Sequence, residues 1–348
     1  KLRRKIETFV PQKPPVPATE ILQWLDARED RDPEQEAQWL LDALAELPGN
    51  ADLAIEAASA MEACKAYDEA ADVFKKAIAD TETEKGFLPS RLLLLYLDSG
   101  RTAEALHLAA SIEGTDPGLA HWARARAAES SGRWEAVLDE ADAALEHIPD
   151  NLTLLRMAVT ANRKLKRFTN AVAVGIKIVE LVAAAEEDPT NARWEVMTSA
   201  SAAADWGTLR AVAKDLNIDL EGEEGPVEED WGWLRLRFME DGDWQEYYGV
   251  RTGPATARIV SIATPGDVQH VRDLVVFDPS YIEPQPEDEE ERQGYIVPHA
   301  VLHVLESGGY TAWLCDGADP GEAIFDALCE ALEEKGYTAR LRQRDGYT

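Results

Sequence analysis

Apolar and small residues recur every three or four positions along the stretch from Ser131 to Asn151, SGRWEAVLDEADAALEHIPDN. This spacing is typical of the buried stripe of an amphipathic helix. The stripe consists of Trp134, Val137, Leu138, Ala141, Ala144 and Leu145. A turn at Gly132 precedes the helix and Pro149 ends it. Because the alanines let a second helix approach closely, the pattern predicts one member of a packed helix pair.

The same pattern recurs along the first two thirds of the chain. An alanine-like marker follows the start of each predicted second helix, at Ala37, Ala70, Ala105, Val137, Ala171 and Leu209. Successive markers are 33, 35, 32, 34 and 38 residues apart. Such a period is typical of helical repeat proteins, in which each helix pair buries its apolar face against its neighbours. We predict about six helix pairs stacked into an α-helical solenoid.

The repeats resemble the tetratricopeptide repeat (TPR) family, whose unit is about 34 residues long. The second-helix sequences that carry the resemblance are YDEAADVFKKAI at 67–78, WEAVLDEADAAL at 134–145 and FTNAVAVGIKIV at 168–179. Prolines stand between units at Pro48, Pro149 and Pro189. The resemblance covers residues 18–216. It implies a right-handed superhelix whose first helices line a concave groove, and a protein that binds a peptide or protein partner there.

The composition changes after Leu216. The twelve residues 219–230 contain seven acidic side chains and no basic one, which favours a solvated linker. We therefore divide the chain into four parts: an N-terminal extension (1–17), a TPR-like superhelix (18–218), an acidic linker (219–230) and a C-terminal domain (231–348).

Short strand patterns and turns alternate in the C-terminal domain. WLRLRF at 233–238 alternates apolar and polar residues, and Asp241-Gly242 after it is a hairpin signal. Further strands are predicted at 257–262, 274–277, 300–305 and 311–315, and an exposed loop at 283–294. The aromatic residues around the hairpin are predicted to form the core and the domain junction, with a sticky interface as the alternative. They are Trp231, Trp233, Trp244, Tyr247 and Tyr248.

A helix near the C-terminus completes the predicted domain. Asp319 and Pro320 have the order of an N-cap and a first helical residue, and Gly336 is a stop signal. The predicted buried stripe is Ile324, Leu328, Ala331 and Leu332. With strands at 311–315 and 338–342 on either side, the helix predicts a β-α-β crossover. The expected fold is α+β, with a mixed sheet of five to seven strands.

The chain is strongly acidic, with 66 acidic residues, 35 basic residues and a formal net charge of −31. This charge argues against nucleic acid or an anionic membrane as the main partner. No apolar run approaches the roughly 20 residues that span a bilayer. The N-terminal KLRRKIETF lacks the apolar core of a signal peptide, and three cysteines without metal-ligand spacing indicate a reducing compartment. We therefore expect a cytoplasmic protein with no nucleic-acid or membrane partner.

The fifth repeat departs from this acidity, because residues 151–179 contain no acidic side chain. Its first helix carries cations close to one face, and the TPR resemblance places neighbouring first-helix residues along the same groove. The candidate partner-binding residues are Trp122, Arg126, Arg156, Thr160, Arg163, Lys164 and Trp194. Guanidinium groups flanked by indoles suit an acidic segment or a C-terminal carboxylate, through bidentate hydrogen bonds and stacking.

The same cations have a second explanation. They balance acids of neighbouring units, such as Asp139, Asp142 and Glu146, or they hold the protein's own acidic linker. In that case the fifth repeat is an ordinary solvated surface, and the groove has no special preference for acidic partners.

Candidates for chemistry in the C-terminal domain are weak. His299 and His303 would share a face of one strand, but no third ligand stands beside them, so no metal site is predicted. Cys315 would end a strand among acidic residues, which disfavours a reactive thiolate and indicates a buried structural thiol. The sequence contains no phosphate-binding loop and no familiar catalytic motif, so no cofactor is predicted.

The leading hypothesis is a non-enzymatic interaction scaffold or adaptor that holds a peptide or protein in the TPR groove. One alternative is a regulatory or enzymatic C-terminal domain to which the repeats deliver a target. Another is an acidic inhibitor or immunity-type protein that covers a basic target, which electrostatic steering would favour.

Overall fold

The computed structural model describes residues 14, 16–80, 87–263, 266–315, 317–318, 320–337 and 339. The chain divides into two compact units, residues 1–226 and residues 227–348. No helix among the described residues is long and apolar enough to cross a membrane.

Six consecutive helix pairs occupy the described part of the first unit, as the marker spacing predicts. The first pairs are α1 (Ile21–Asp26) with α2 (Pro33–Glu46), α3 (Ala51–Ala63) with α4 (Tyr67–Asp80), and α5 (Leu88–Asp98) with α6 (Thr102–Ile112). The remaining pairs are α7 (Pro117–Ser130) with α8 (Trp134–His147), α9 (Leu152–Lys164) with α10 (Phe168–Ala184), and α11 (Thr190–Ala202) with α12 (Trp206–Asp215).

Side-chain caps fix where several of the first helices begin. The Oδ1 atom of Asn50 accepts a hydrogen bond from Leu53 N at 3.0 Å, and Asn151 does the same for Leu154 N at 3.0 Å. Each cap satisfies one of the amide groups that the first turn leaves without a partner. Because the same cap recurs in the second and fifth repeats, their first helices start at equivalent positions.

Small residues form much of the solenoid core, with Phe74, Leu93 and Met197 among the fully buried larger side chains. The helices therefore pack closely. At Gly175 of α10, an added Cβ would lie 2.9 Å from Cγ2 of Val196 on α11, so this contact requires glycine. Each repeat is thus stabilised mainly by its immediate neighbours.

Five strands of the second unit close into a barrel in the order β1-β2-β3-β4-β5. They are β1 (Trp233–Glu240), β2 (Asp243–Arg251), β3 (Thr256–Ile259), β4 (Leu274–Phe277) and β5 (Pro298–Glu306). Successive strands pair antiparallel, and β5 closes the barrel by pairing in parallel with β1, where Leu236 lies opposite His299. An odd number of alternating strands leaves the last one running in the direction of the first. Alternate β1 residues, among them Leu236 and Phe238, face the barrel core.

The predicted hairpin turn is confirmed. Asp241 and Gly242 have φ angles of 50° and 91°, the positive values that a two-residue type I′ hairpin turn requires at both central residues. The turn sets the register in which Glu240 faces Asp243 and Arg237 faces Glu246.

The acidic linker is attached at both of its ends. In the first unit, the Arg210 guanidinium donates to the carbonyl oxygens of Gly222 at 3.1 Å and Gly225 at 2.8 Å. In the second unit, Val227 is buried, and Glu229 N donates to Thr252 O at 2.9 Å.

Several predictions for the C-terminal domain are wrong. Residues 311–315 form no strand, so the β-α-β crossover lacks its first strand, and the sheet is a closed barrel. Residues 338 and 340–342 of the predicted last strand lie outside the described residues, as does the predicted cap Asp319. The short helix α13 (Glu289–Arg292) interrupts the predicted acidic loop. The late helix, α14 (Glu322–Glu333), begins after Gly321, whose φ is 83°, so Pro320 is not its first residue.

The predicted burial of α14 and of the hairpin aromatics is also wrong. No residue of α14 is buried, and Ile324 is 62% exposed. Of the hairpin aromatics, Tyr247 is buried, but Trp233, Trp244 and Tyr248 are exposed because they lie on the outer side of the barrel. The amphipathic patterns identified a helix and a hairpin correctly, but a pattern does not show which neighbour will cover an apolar face.

Candidate partner-binding groove

The first helix of the fifth repeat presents a polar face to solvent. Leu154, Leu155 and Ala158 of α9 are buried, whereas Arg156 and Thr160 are exposed. Since residues four apart lie on the same side of a helix, the exposed pair forms the centre of one face. Lys164 continues this face by one further turn and is also exposed.

Arg156 and Thr160 have no side-chain hydrogen bond or ion pair within the described part of the chain. Lys164 has one weak contact, because its Nζ lies 6.0 Å from the centroid of the Trp134 ring. Arg163 is half-buried and already engaged with other groups. Arg156 and Lys164 are therefore the cations of this face that are most available to a partner.

Other cations of the fifth repeat do form ion pairs with neighbouring acids. Arg167 pairs with Glu135 at 2.7 Å, and Lys177 pairs with Asp150 at 3.4 Å. These two cations match the second explanation offered by the sequence. Arg156 does not.

The sequence suggested three acids of the fourth repeat as counter-ions for these cations: Asp139, Asp142 and Glu146. Burial, and then the nearby charges of Asp139 and Glu146, raise the pKa of Asp142 above its usual range. The ion pairs of Arg167 and Lys177 are made with Glu135 and Asp150 and involve none of these three acids. The acidic linker is held by Arg210 rather than by this face.

The predicted residues of the fourth and sixth repeats are more deeply involved in packing. Trp122 of α7 packs against Ala141, Ala144 and Leu154, so its indole is partly structural. Arg126 donates to Glu129 at 2.6 Å and lies 4.0 Å from Asp98 of the third repeat. Trp194 is half-buried. The cations are thus not flanked by two fully exposed indoles, as the sequence suggested.

The first helices of the earlier repeats carry polar groups that the sequence reasoning did not select. Arg91 of α5 lies 3.4 Å from the hydroxyl of Ser59 on α3. A pocket of about 210 Å³ lies between α1 and α3 and is lined by Leu22, Asp26, Asp52, Ile55 and Glu56. By the repeat period, Leu22 and Ile55 occupy the places in their first helices that Arg156 occupies in the fifth repeat, whereas Glu56 and Arg91 lie one position further along. We call this shared face of the first helices, from Leu22 to Trp194, the first-helix groove.

The chain can now be compared with known proteins. No family model matches it, and no curated protein matches it. Among solved structures, a MamA fragment from Desulfovibrio magneticus RS-1 is 16% identical, over 48% of this chain and 94% of that chain, with a TM-score of 0.37. The type IV pilus biogenesis factor PilW is 15% identical, over 57% and 89% of the two chains, with a TM-score of 0.43.

A third similar structure is YrrB, described as a TPR protein with an unusual peptide-binding site. It is 13% identical, over 51% of this chain and 94% of that chain, with a TM-score of 0.34. These likenesses concern the helical fold alone. The helix pairs between residues 21 and 215 form a solenoid of helical repeats.

Outside the helical solenoid, the predicted chemical candidates are not assembled into a site. His299 is buried against Phe277 and Tyr281, and burial lowers its pKa below the usual range. Cys315 is exposed rather than buried and ends no strand. Among the described residues, no group of three or more histidine, cysteine or acidic side chains is arranged to hold a metal.

One polar cluster in the barrel was missed by the sequence reasoning. The ring of His270 stacks on Phe238 at 3.8 Å, and its two nitrogens lie 2.7 Å from Asp273 and 2.6 Å from Glu240. Asp273 also accepts a hydrogen bond from Gly308 N at 2.6 Å. Both ring nitrogens are occupied by these carboxylates, so the cluster ties the β1–β2 hairpin to the ends of β4 and β5. No local pattern brings residues 240, 270 and 308 together; only closure of the barrel does.

Proposed function

We propose that this protein is a non-enzymatic scaffold that binds an acidic peptide segment, or a C-terminal carboxylate, in the first-helix groove of its TPR-like solenoid. The observation that supports the proposal is Arg156, an exposed guanidinium without a counter-ion in the described residues of a chain whose net charge is −31. Arg156 and Lys164 give one exposed helix face a positive charge in an otherwise acidic molecule, which favours an acidic partner.

The chemistry of the face fits this partner. A guanidinium can donate two parallel hydrogen bonds to one carboxylate, and such charge-assisted bonds are stronger than neutral ones. Lys164 adds a second positive charge two helical turns along, and the hydroxyl of Thr160 lies between them. An extended acidic segment can satisfy the three groups at once.

The test uses the full chain and a fluorescein-labelled peptide that ends in Glu-Glu-Glu with a free carboxylate. Fluorescence anisotropy measures its dissociation constant for the wild type and for Arg156→Glu with Lys164→Glu. We expect at least a tenfold loss of affinity, equal to about 1.4 kcal/mol. An amidated version of the peptide separates recognition of the terminal carboxylate from recognition of the acidic side chains.

The matched control is Lys166→Glu with Lys214→Glu, which changes the net charge equally at two exposed sites outside α9. We expect this control to retain most of the affinity. Equal losses in both double variants would show that only net charge matters, and unchanged binding in the groove variant would overturn the proposal. Circular dichroism of each variant checks that the helices remain folded.

A further inference from the structure

The first-helix groove changes its charge along its length. Its first two repeats expose or half-expose Asp26, Asp52 and Glu56, whereas the fifth repeat exposes Arg156 and Lys164. The chain as a whole is acidic, so the first end is in keeping with its composition. The fifth repeat is the exception, so the groove is acidic at one end and basic at the other.

Contacts between successive first helices show that the two ends belong to one surface. The pocket joins α1 to α3, and Arg91 of α5 reaches Ser59 of α3. Arg126 of α7 lies 4.0 Å from Asp98 of α5, and α7 contacts α9, which carries Arg156. A single extended ligand can therefore lie across these helices.

The middle of the groove is the place where the two charges meet. Burial raises the pKa of Glu62 on α3 above its usual range, while the neighbouring Arg91 opposes that rise. Asp98 and Arg126 likewise bring opposite charges together on α5 and α7. Opposite charges thus meet in the centre of the groove, whereas neither the pocket carboxylates nor Arg156 forms an ion pair within the described residues.

The acidic end of the groove contains a pocket. The pocket of about 210 Å³ has aliphatic side chains, Leu22 and Ile55, and three carboxylates around it. Those carboxylates form no hydrogen bond or ion pair within the described residues, although Asp26 and Glu56 interact electrostatically with Arg31, whose guanidinium is bonded to Glu36 at 2.7 Å. A lysine or arginine side chain has the matching form, because its apolar stem ends in a cation.

We propose that the groove takes a dipolar extended segment, with its acidic part over the fifth repeat and a lysine or arginine in the pocket between the first two repeats. This inference rests on the proposed function, since it assumes that the groove binds an acidic segment. Charge complementarity at both ends then selects the partner and fixes its placement along the groove.

The distance from the pocket to α9 sets how far apart the basic residue and the acidic part of the partner must lie. Packed helices lie about 8–10 Å apart, so the three and a half repeats from the pocket to α9 span roughly 30 Å. An extended chain advances about 3.3–3.6 Å per residue, so the basic residue lies about nine residues from the acidic part. A segment with much closer charges cannot reach both ends.

The test compares four labelled peptides that share the Glu-Glu-Glu end and differ in a single lysine. The lysine is absent or separated from the acidic end by about four, about nine or about fourteen small neutral residues, around the spacing expected for an extended chain. Anisotropy on the full chain should show the tightest binding for the spacing of about nine. The expected gain over the lysine-free peptide is about fivefold, equal to roughly 1 kcal/mol.

Two variants assign that gain to the pocket. Asp52→Asn with Glu56→Gln should abolish the gain and leave the lysine-free peptide bound at least as well as before. The matched control, Asp139→Asn with Glu146→Gln on the second helix α8, changes the net charge equally and should keep the gain.

The outcomes distinguish the two proposals. A lysine that adds nothing at any spacing, or adds equally at all spacings and in the pocket variant, overturns the dipolar partner but leaves the acidic-segment function standing. Failure of all four peptides to bind, or binding that ignores the change at Arg156 and Lys164, overturns both.

Discussion

The two units of this protein use charged residues in different ways. On the outer face of the barrel, Arg235 and Arg237 both donate to Glu246, and Arg237 reaches on to Glu283. In the helical solenoid, Arg156 of the groove has no such partner within the described residues. Charges that are satisfied internally stabilise a fold, whereas charges left without a partner are available for binding. The difference indicates where to look for function in each unit.

The two units also differ in how their contacts are spread along the chain. Solenoid helices pack mainly on their sequence neighbours, whereas the barrel depends on β5 meeting β1, residues separated by some sixty positions, as in the Leu236 and His299 pair. A local defect should therefore remain local in the solenoid and spread through the barrel.

The largest expected effect tests that contrast directly. Phe74→Ala in the solenoid and Phe277→Ala in the barrel each remove a fully buried ring, and each should cost about 3–5 kcal/mol locally. Amide hydrogen exchange should show lost protection near repeats two and three for the first variant, and in all five strands for the second. Phe87→Ala, at a site 79% exposed, is the control with little effect. Equal spreading in both units would contradict the contrast.

A smaller loss of stability is expected at Gly308, in the segment that follows β5. An added Cβ at Gly308 would lie 2.3 Å from the carbonyl oxygen of Val271, so Gly308→Ala must displace backbone and also weaken the bond to Asp273. We expect a loss of about 1–3 kcal/mol in the free energy of unfolding of the barrel, measured by chemical denaturation. Gly317→Ala, where nothing lies within 4 Å, is the matched control. A stable Gly308→Ala barrel would mean that the loop can move freely.

The outer ion network should contribute less and depend on pH. Burial alone would raise the pKa of Glu246, but hydrogen bonds from Arg235 and Arg237 outweigh it and lower that pKa. The stabilisation is therefore present above the ordinary carboxyl pKa and is lost as the pH falls through the lower folded-state value. Arg237→Gln should cost about 1 kcal/mol at neutral pH, and the difference from wild type should shrink under acidic conditions. A difference that stays constant with pH would argue against the network.

The smallest effect on stability is expected in the groove. Arg156→Gln with Lys164→Gln should change the free energy of unfolding by less than about 0.5 kcal/mol, because neither side chain has a strong internal partner. The same double variant should nevertheless bind the acidic peptide much more weakly than the wild type does. Thermal unfolding followed by circular dichroism measures the first quantity, and anisotropy measures the second. A clearly destabilised variant would place these cations among the structural charges.

Much of the solenoid was predictable from the sequence, because its helices obey local rules. The spacing of apolar residues, the prolines between units and the caps such as Asn151 are all set by residues within a few turns of one another. The repeat period then identified the first helices and placed Arg156 and Lys164 on one of them. The pocket residues Leu22 and Ile55 lay at positions equivalent to Arg156, but in an acidic chain the neighbouring Asp52 and Glu56 did not stand out.

The sequence by itself thus determined the helix pairs, the hairpin at Asp241-Gly242 and the unusual basic repeat. Only the tertiary structure decided that the strands close into a barrel, that Trp122 and Arg126 are engaged by neighbouring residues, and that His270 joins Glu240 to Asp273. It also decided that the apolar stripe of α14 stays exposed among the described residues. The physical reason is range: periodicity and turn chemistry act over a few residues, whereas barrel closure and charge pairing depend on distant groups meeting in space.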